Sequence, residues 1–219
     1  MATLDVAGLR VLIVGGGVVA RRRGEALATS GAVLTVVAPE VDDELSDAAL
    51  ASGGAVHRRG YRDGDVEGCG LVVAAAGDAS VNARVAEDAA AAGVWCNCAS
   101  DPSAGRVGFV AERRAGEVRI GVETGGASAS AARDIATELA ETIGQSDWVG
   151  LLDEAKAWRA RVQREVPEGA TRQAVLRELA GSISRERLAQ GGREALTRYY
   201  ESLLSDAVKA AAAPRGEVA

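Results

Sequence analysis

The chain has 219 residues, 47% apolar and 26% charged, with 27 glycines, a composition that excludes disorder and leaves room for one full domain plus a smaller one. A formal net charge of −6 and only 3% aromatic residues argue against a nucleic-acid binder, which needs a basic surface and, for single strands, stacking rings. The single histidine, His57, excludes the His-Glu-x-x-His zinc pattern and any two-histidine metal cage, so the chemistry must rest on carboxylates, hydroxyls or a cofactor.

Over the first hundred residues, apolar β-branched runs alternate with alanine-rich helical stretches. The predicted elements are a strand over 9–14, a helix over 18–30, strands and helices over 33–38, 43–51, 55–57 and 71–75, a helix over 80–92 and a strand over 93–97. This order belongs to an α/β fold with a Rossmann-like, doubly wound parallel sheet. After Asp101 and Pro102 the rhythm changes. Residues 106–110 and 117–122 read as two strands of a hairpin around a polar Arg113-Arg114-Ala115-Gly116 turn. Thr124-Gly125-Gly126-Ala127-Ser128 then leads into a helix over 130–143, with Ser128 or Ser130 as its N-cap. From Trp148 onward the pattern is helical. Pro167-Glu168-Gly169 and Gly191-Gly192 divide it into about three helices, and the tail after Lys209 is expected to fray. The expected domains are a Rossmann domain over 1–112, a small α+β hairpin-helix segment over 113–147 and a helical domain over 148–219. Charge divides similarly: residues 1–147 hold 21 acidic and 13 basic side chains, whereas 148–219 hold 10 and 12.

The run Gly15-Gly16-Gly17-Val18-Val19-Ala20 follows the first strand and opens the first helix, matching G-x-G-x-x-A in the context where it has mechanical meaning. Gly15 turns the chain, Gly17 admits a pyrophosphate to the backbone, and Val18 and Val19 begin the helix whose N-terminus faces it. The alternative is a glycine-rich turn without a ligand. At the end of the second strand, Pro39 and Glu40 stand where an acidic residue binds the adenosine ribose, and the Glu40 carboxylate either reaches that ribose or faces solvent. No arginine adjoins it in sequence to accept a 2′-phosphate, which favours NAD over NADP. None of Tyr61, Tyr199 or Tyr200 has a lysine four residues on, excluding the short-chain dehydrogenase pattern. His57, flanked by Arg58 and Arg59, reads as structural.

Cys69, Cys96 and Cys98 form no disulfide framework, no secretory pattern precedes Leu4 and no apolar run is long enough to span a membrane, so a cytoplasmic protein without membrane or nucleic-acid partners is expected. In a strand, Cys96 and Cys98 point one way and Asn97 the other, which reads as a buried strand more readily than a metal site.

Four motifs in order resemble the precorrin-2 dehydrogenase or sirohydrochlorin ferrochelatase family, which includes the N-terminal module of siroheme synthase. They are Val14 to Arg22 around the glycine loop, Ala74-Ala75-Ala76-Gly77-Asp78 with Val81-Asn82, Cys96-Asn97 followed by Asp101-Pro102 and Phe109, and Ile120 to Ser128. The similarity runs from about residue 5 to 205 and takes in Arg159-Ala160-Arg161-Val162. It implies NAD-dependent oxidation of precorrin-2 to sirohydrochlorin in siroheme biosynthesis, by a homodimer whose hairpin and following helix meet across the subunits. Some members also insert ferrous iron. Ala76 and Asn82 join the implied cofactor site, and Thr124 and Ser128 the implied substrate site; for the carboxylates of such a substrate, Arg106 and the Arg113-Arg114 pair are the candidate partners by charge. The family's catalytic aspartate position, counted from Asn97, falls on Ser100, with Asp101 next to it; Asp101 is the candidate base by chemistry, because proton removal beside a nicotinamide needs one carboxylate and no histidine. The proline usual after Phe109 and the usual Ser-Pro after the glycine pair are absent here. The alternative is a non-catalytic NAD-binding sensor or assembly protein on the same fold, a reading that Ser100 keeps open.

Overall fold

The computed structural model describes residues 3–212, and the chain divides between Phe109 and Val110 into two compact units. The first contains β1 (Arg10–Val14), α1 (Val18–Thr29), β2 (Val33–Val37), α2 (Asp43–Ala51), β3 (Ala55–His57), β4 (Leu71–Ala74), α3 (Ala79–Ala91) and β5 (Trp95–Cys98). All five strands are parallel, in the order β3-β2-β1-β4-β5. The chain steps outward from β1 to β3 on one side, then restarts at β4 on the other, so the reversal opens a crevice at the carboxyl edge between β1 and β4. The expected doubly wound α/β class is borne out.

Both faces of this sheet are covered, which is why the central strands read as unbroken apolar runs. Val11, Ile13, Leu34, Val36 and Val73 pack on one face against Ala20 and Leu27 of α1 and Leu45 and Ala49 of α2. Leu12, Val14, Val72, Cys96 and Cys98 pack on the other against Val85, Ala86 and Ala89 of α3. The two-residue alternation of strand side chains sorts neighbours between two separate cores. His57 is the exposed last residue of β3, at the carboxyl edge of the outermost strand.

The second unit contains an antiparallel pair, β6 (Ala111–Ala115) and β7 (Val118–Val122), followed by α4 (Ala129–Gly144), α5 (Trp148–Glu165), α6 (Ala170–Glu178) and α7 (Ser182–Ala212). Three expectations are corrected. Residues 106–110 form no strand: the N–H groups of Arg106 and Val107 both donate to the Cys96 carbonyl at 2.9 and 3.0 Å, and Asn97 Nδ2 donates to the Val107 carbonyl at 2.6 Å. This segment is thus pinned to β5, and its apolar character serves the first core, where Val107 packs. Consequently Arg113 and Arg114 lie within β6, and residue 112, the expected end of the first domain, falls inside that strand. The hairpin turn is Gly116-Glu117, with Gly116 at φ +58, a conformation suited to a tight two-residue connection.

The helical region holds one break beyond those expected. Residues 166–169 separate α5 from α6 as read, but the next interruption is at 179–181, where the Gly181 N–H donates to the Glu178 carbonyl at 3.1 Å. The break read at Gly191-Gly192 is present: Gly192, at φ +63 and ψ −165, is non-helical and divides α7 into two helical pieces across a kink. The unit closes over Leu151, Trp158, Val162, Leu196, Tyr200 and Leu204, with Trp158 and Tyr200 edge to face at 5.6 Å between centroids. α7 continues to Ala212, three residues past Lys209; the remainder of the tail expected to fray lies outside the described residues.

Candidate active site

The site begins with the glycines. A Cβ on Gly15 would lie 2.2 Å from the Ala75 carbonyl oxygen, and one on Gly16 only 1.9 Å from that of Glu40, whereas nothing lies within 4 Å of the position at Gly17. The first two glycines let the loop press against its neighbours; the third leaves an opening. Hydrogen bonds of 3.0 Å, from Gly15 N–H to the Val37 carbonyl and from Asp42 N–H to the Gly16 carbonyl, fasten the loop to β2 and to the chain beyond it. Within this unit α2 is capped by the Asp42 side chain and α3 by that of Asp78, but α1 has no side-chain cap and no acidic residue in its first turn. Its first N–H groups are therefore left for a ligand, and an anion is the ligand they suit.

A cleft of about 750 Å³ lies along this edge, lined by the glycine loop, residues 37–42, Gly60, Tyr61, residues 76–78 and Val81. That volume lies in the range of cofactor pockets. Gly15, Gly17, Pro39, Glu40 and Ala76 thus share one cleft. Val18 and Val19 do not line it; their side chains are exposed, Val18 by 69%, so only their backbone belongs to the helix end.

Asn82 acts inside the protein. It is buried, its Oδ1 accepts the Ala76 N–H at 2.8 Å and its Nδ2 donates to the Ala76 carbonyl at 2.9 Å. The same Nδ2 donates to Ser100 Oγ at 3.3 Å, so one amide joins the loop after β4 to the loop after β5. On that second loop Asp101 is exposed, and its Oδ1 accepts from both the N–H and the hydroxyl of Ser103 at 2.9 and 2.6 Å. The Ser103 hydroxyl first, then its N–H, holds the Asp101 carboxyl below its ordinary value. Arg106 is exposed. Thr124 and Ser128 belong to the second unit, where the Ser128 N–H donates to Thr124 Oγ1 at 3.2 Å and Ser128 caps α4 through the Ala131 N–H.

Local sequence missed an arginine beside the Glu40 loop: Arg58, arriving from β3, donates to the Val41 carbonyl at 3.3 Å. It also missed Tyr61, which sits in a loop without a motif. Asp42 had a readable signal, an acidic cluster before an apolar run. Burial pushes the Cys96 thiol up to about 11, so this sulfur stays protonated.

Sheet order, uncapped α1 and crevice together define a Rossmann-type dinucleotide-binding unit. Residues 2–111 match the family model described as "Putative NAD(P)-binding", and the chain belongs to that family. It is 38% identical over 192 residues to the siroheme synthase of Pseudomonas fluorescens (strain SBW25), covering 87% of this chain and 41% of that protein. With the siroheme synthase of Azotobacter vinelandii the identity is 36% over 203 residues, 93% of this chain and 44% of the relative. The chain thus spans less than half the length of these curated relatives. The solved structure of SirC, a precorrin-2 dehydrogenase, shares the fold with a TM-score of 0.72 at 24% identity, covering 92% of this chain and 98% of that one. The family resemblance read from the four motifs is borne out. Among the described residues no helix is long and apolar enough to cross a membrane.

Proposed function

We propose that this chain oxidises precorrin-2 to sirohydrochlorin with NAD as hydride acceptor. The observation that carries the reading is the Asn82 bridge, which ties Ala76, in the wall of the cofactor cleft, to Ser100, the neighbour of the only carboxylate on the loop after β5. Bound NAD supplies the hydride acceptor. The uncapped start of α1 would hold its pyrophosphate, and Glu40 the adenosine ribose.

Asp101 supplies the base. Both Ser103 donors engage Oδ1, which leaves Oδ2 to take the proton lost from the macrocycle as the hydride leaves. Two electrons and one proton go to NAD as hydride and one proton to Asp101, which balances the oxidation. Arg106, on the same stretch of chain, is the candidate partner for a substrate carboxylate. Ferrous iron, where it is inserted, is a further substrate, and the same exposed Asp101 carboxylate would take the two pyrrole protons in turn, releasing each to water. A homodimer fits the second unit: α4 buries Ala132 and Ala136 but exposes Ile135 and Leu139, one turn apart, by 42% and 44%.

The test is anaerobic conversion of precorrin-2 followed by the absorbance of sirohydrochlorin. Wild type is expected to convert it in the presence of NAD, and Asp101→Ala to lose about a hundredfold in rate. Wild type that binds NAD yet forms no sirohydrochlorin would leave the non-catalytic sensor as the better reading. Ferrous iron added to the product tests chelation against a protein-free control.

A further inference from the structure

We propose that Tyr61 is the aromatic wall against which the adenine of the cofactor stacks; the inference rests on the reading of the cleft as an NAD site. The polarity of the cleft follows from topology. A pyrophosphate at the start of α1 divides the ligand into halves, and the acidic residue after β2 marks the adenosine half. In the order β3-β2-β1-β4-β5 the chain leaving β3 emerges beyond β2, on that same side. Gly60 and Tyr61 follow the end of β3 by three and four residues, and both line the cleft.

Tyr61 is the one aromatic residue among those lining the cleft. Its hydroxyl is engaged elsewhere, donating to Asp88 Oδ2 on α3 at 2.7 Å, and the Arg84 guanidinium lies over one face of the ring, 5.1 Å from its centroid. Burial first, then the Asp88 carboxylate, pushes the phenol well above its ordinary range, so it stays neutral. The ring also packs on the core beneath α3. A ring held from three directions, with its polar end turned to α3 and Arg84 over one face, keeps the opposite face for the cleft. Pro39 contributes a second apolar surface from the β2–α2 loop, and a Cβ on Gly60 would meet nothing within 4 Å apart from its own chain neighbours. A planar purine suits that arrangement, since stacking uses the π-face and needs no hydrogen bond from the hydroxyl.

The experiment is titration of the full chain with three probes: NAD, ADP-ribose, which keeps the adenine, and nicotinamide mononucleotide, which lacks it. Tyr61→Ala is expected to weaken NAD and ADP-ribose about tenfold or more and to leave the mononucleotide unchanged. Tyr61→Phe is expected to retain all three, because the hydroxyl serves Asp88. Should Tyr61→Ala fail to fold, Tyr61→Leu keeps apolar volume on the core without the aromatic plane and is expected to show the same selective loss. A folded Ala or Leu variant with wild-type affinity for ADP-ribose, or with equal losses for all three probes, overturns the assignment while leaving the NAD reading intact. Wild type that binds none of the probes overturns both.

Discussion

Gly16 and Gly17 are adjacent and chemically identical, yet they carry different burdens. A methyl group at Gly16 must displace the backbone of Glu40, whereas one at Gly17 meets open space on a backbone at φ −91. Gly16→Ala is therefore expected to lower stability by roughly 1–3 kcal/mol, the range for overpacking, seen as a fall in Tm without ligand. Gly17→Ala should keep the wild-type Tm and lose NAD binding by calorimetry, since its methyl group would stand where the pyrophosphate comes closest. Asp101 gives a pH signature. Its folded-state carboxyl is depressed by Ser103, so the proposed base stays ionised to lower pH than an ordinary aspartate. Ser103→Ala removes the hydroxyl donor, the larger of the two Ser103 contributions, and should move the acid limb of the rate profile to higher pH. At this scale the glycine loop was legible because its spacing is local. Arg58 was not, since its approach to the Glu40 loop depends on β3 pairing beside β2, a contact between residues 17 apart.

Among the elements, the central strands and the helices packed on them were readable because burial on both faces leaves unbroken apolar runs, and Asp43–Ala51 and Ala55–His57 emerge with the bounds their patterns suggest. The hairpin was misread for a definite reason: Arg106 to Val110 look like a strand, but the backbone of Arg106 and Val107 is claimed by the Cys96 carbonyl and the Asn97 amide, a demand invisible along the chain. The break between α6 and α7 carried a usable signal in Gly181-Ser182, a helix-stopping glycine followed by a residue suited to helix starts, outweighed by the more conspicuous glycine pair at 191–192. The exposed ridge on α4 belongs to this scale. Ile135→Glu with Leu139→Glu, on a surface already open in the single chain, is expected to leave helicity unchanged and convert a dimer to a monomer by light scattering. An unaltered mass would locate the interface elsewhere.

As a whole molecule the chain holds two sets of cores within separate units, one on the two faces of the parallel sheet and one among the C-terminal helices. Ligand linkage should therefore act unevenly. NAD at a hundred times its dissociation constant stabilises whatever unit holds it by about 2.7 kcal/mol, so amide exchange is expected to slow across β1 to β5 and to change little across α5 to α7. Uniform protection would mean that the units unfold as one. What this scale adds concerns Asn82, a side chain that touches neither reactant in the proposed chemistry. Its amide is the common anchor of two loops, one lining the cleft and one bearing Asp101, so a displacement of either is felt by the other through a single buried group. Occupancy of the two sites then becomes thermodynamically reciprocal: whatever NAD contributes to ordering the acidic loop, the tetrapyrrole returns as tighter NAD binding by the same factor. An asparagine outside the reaction would set how strongly the enzyme's two reactants sense each other.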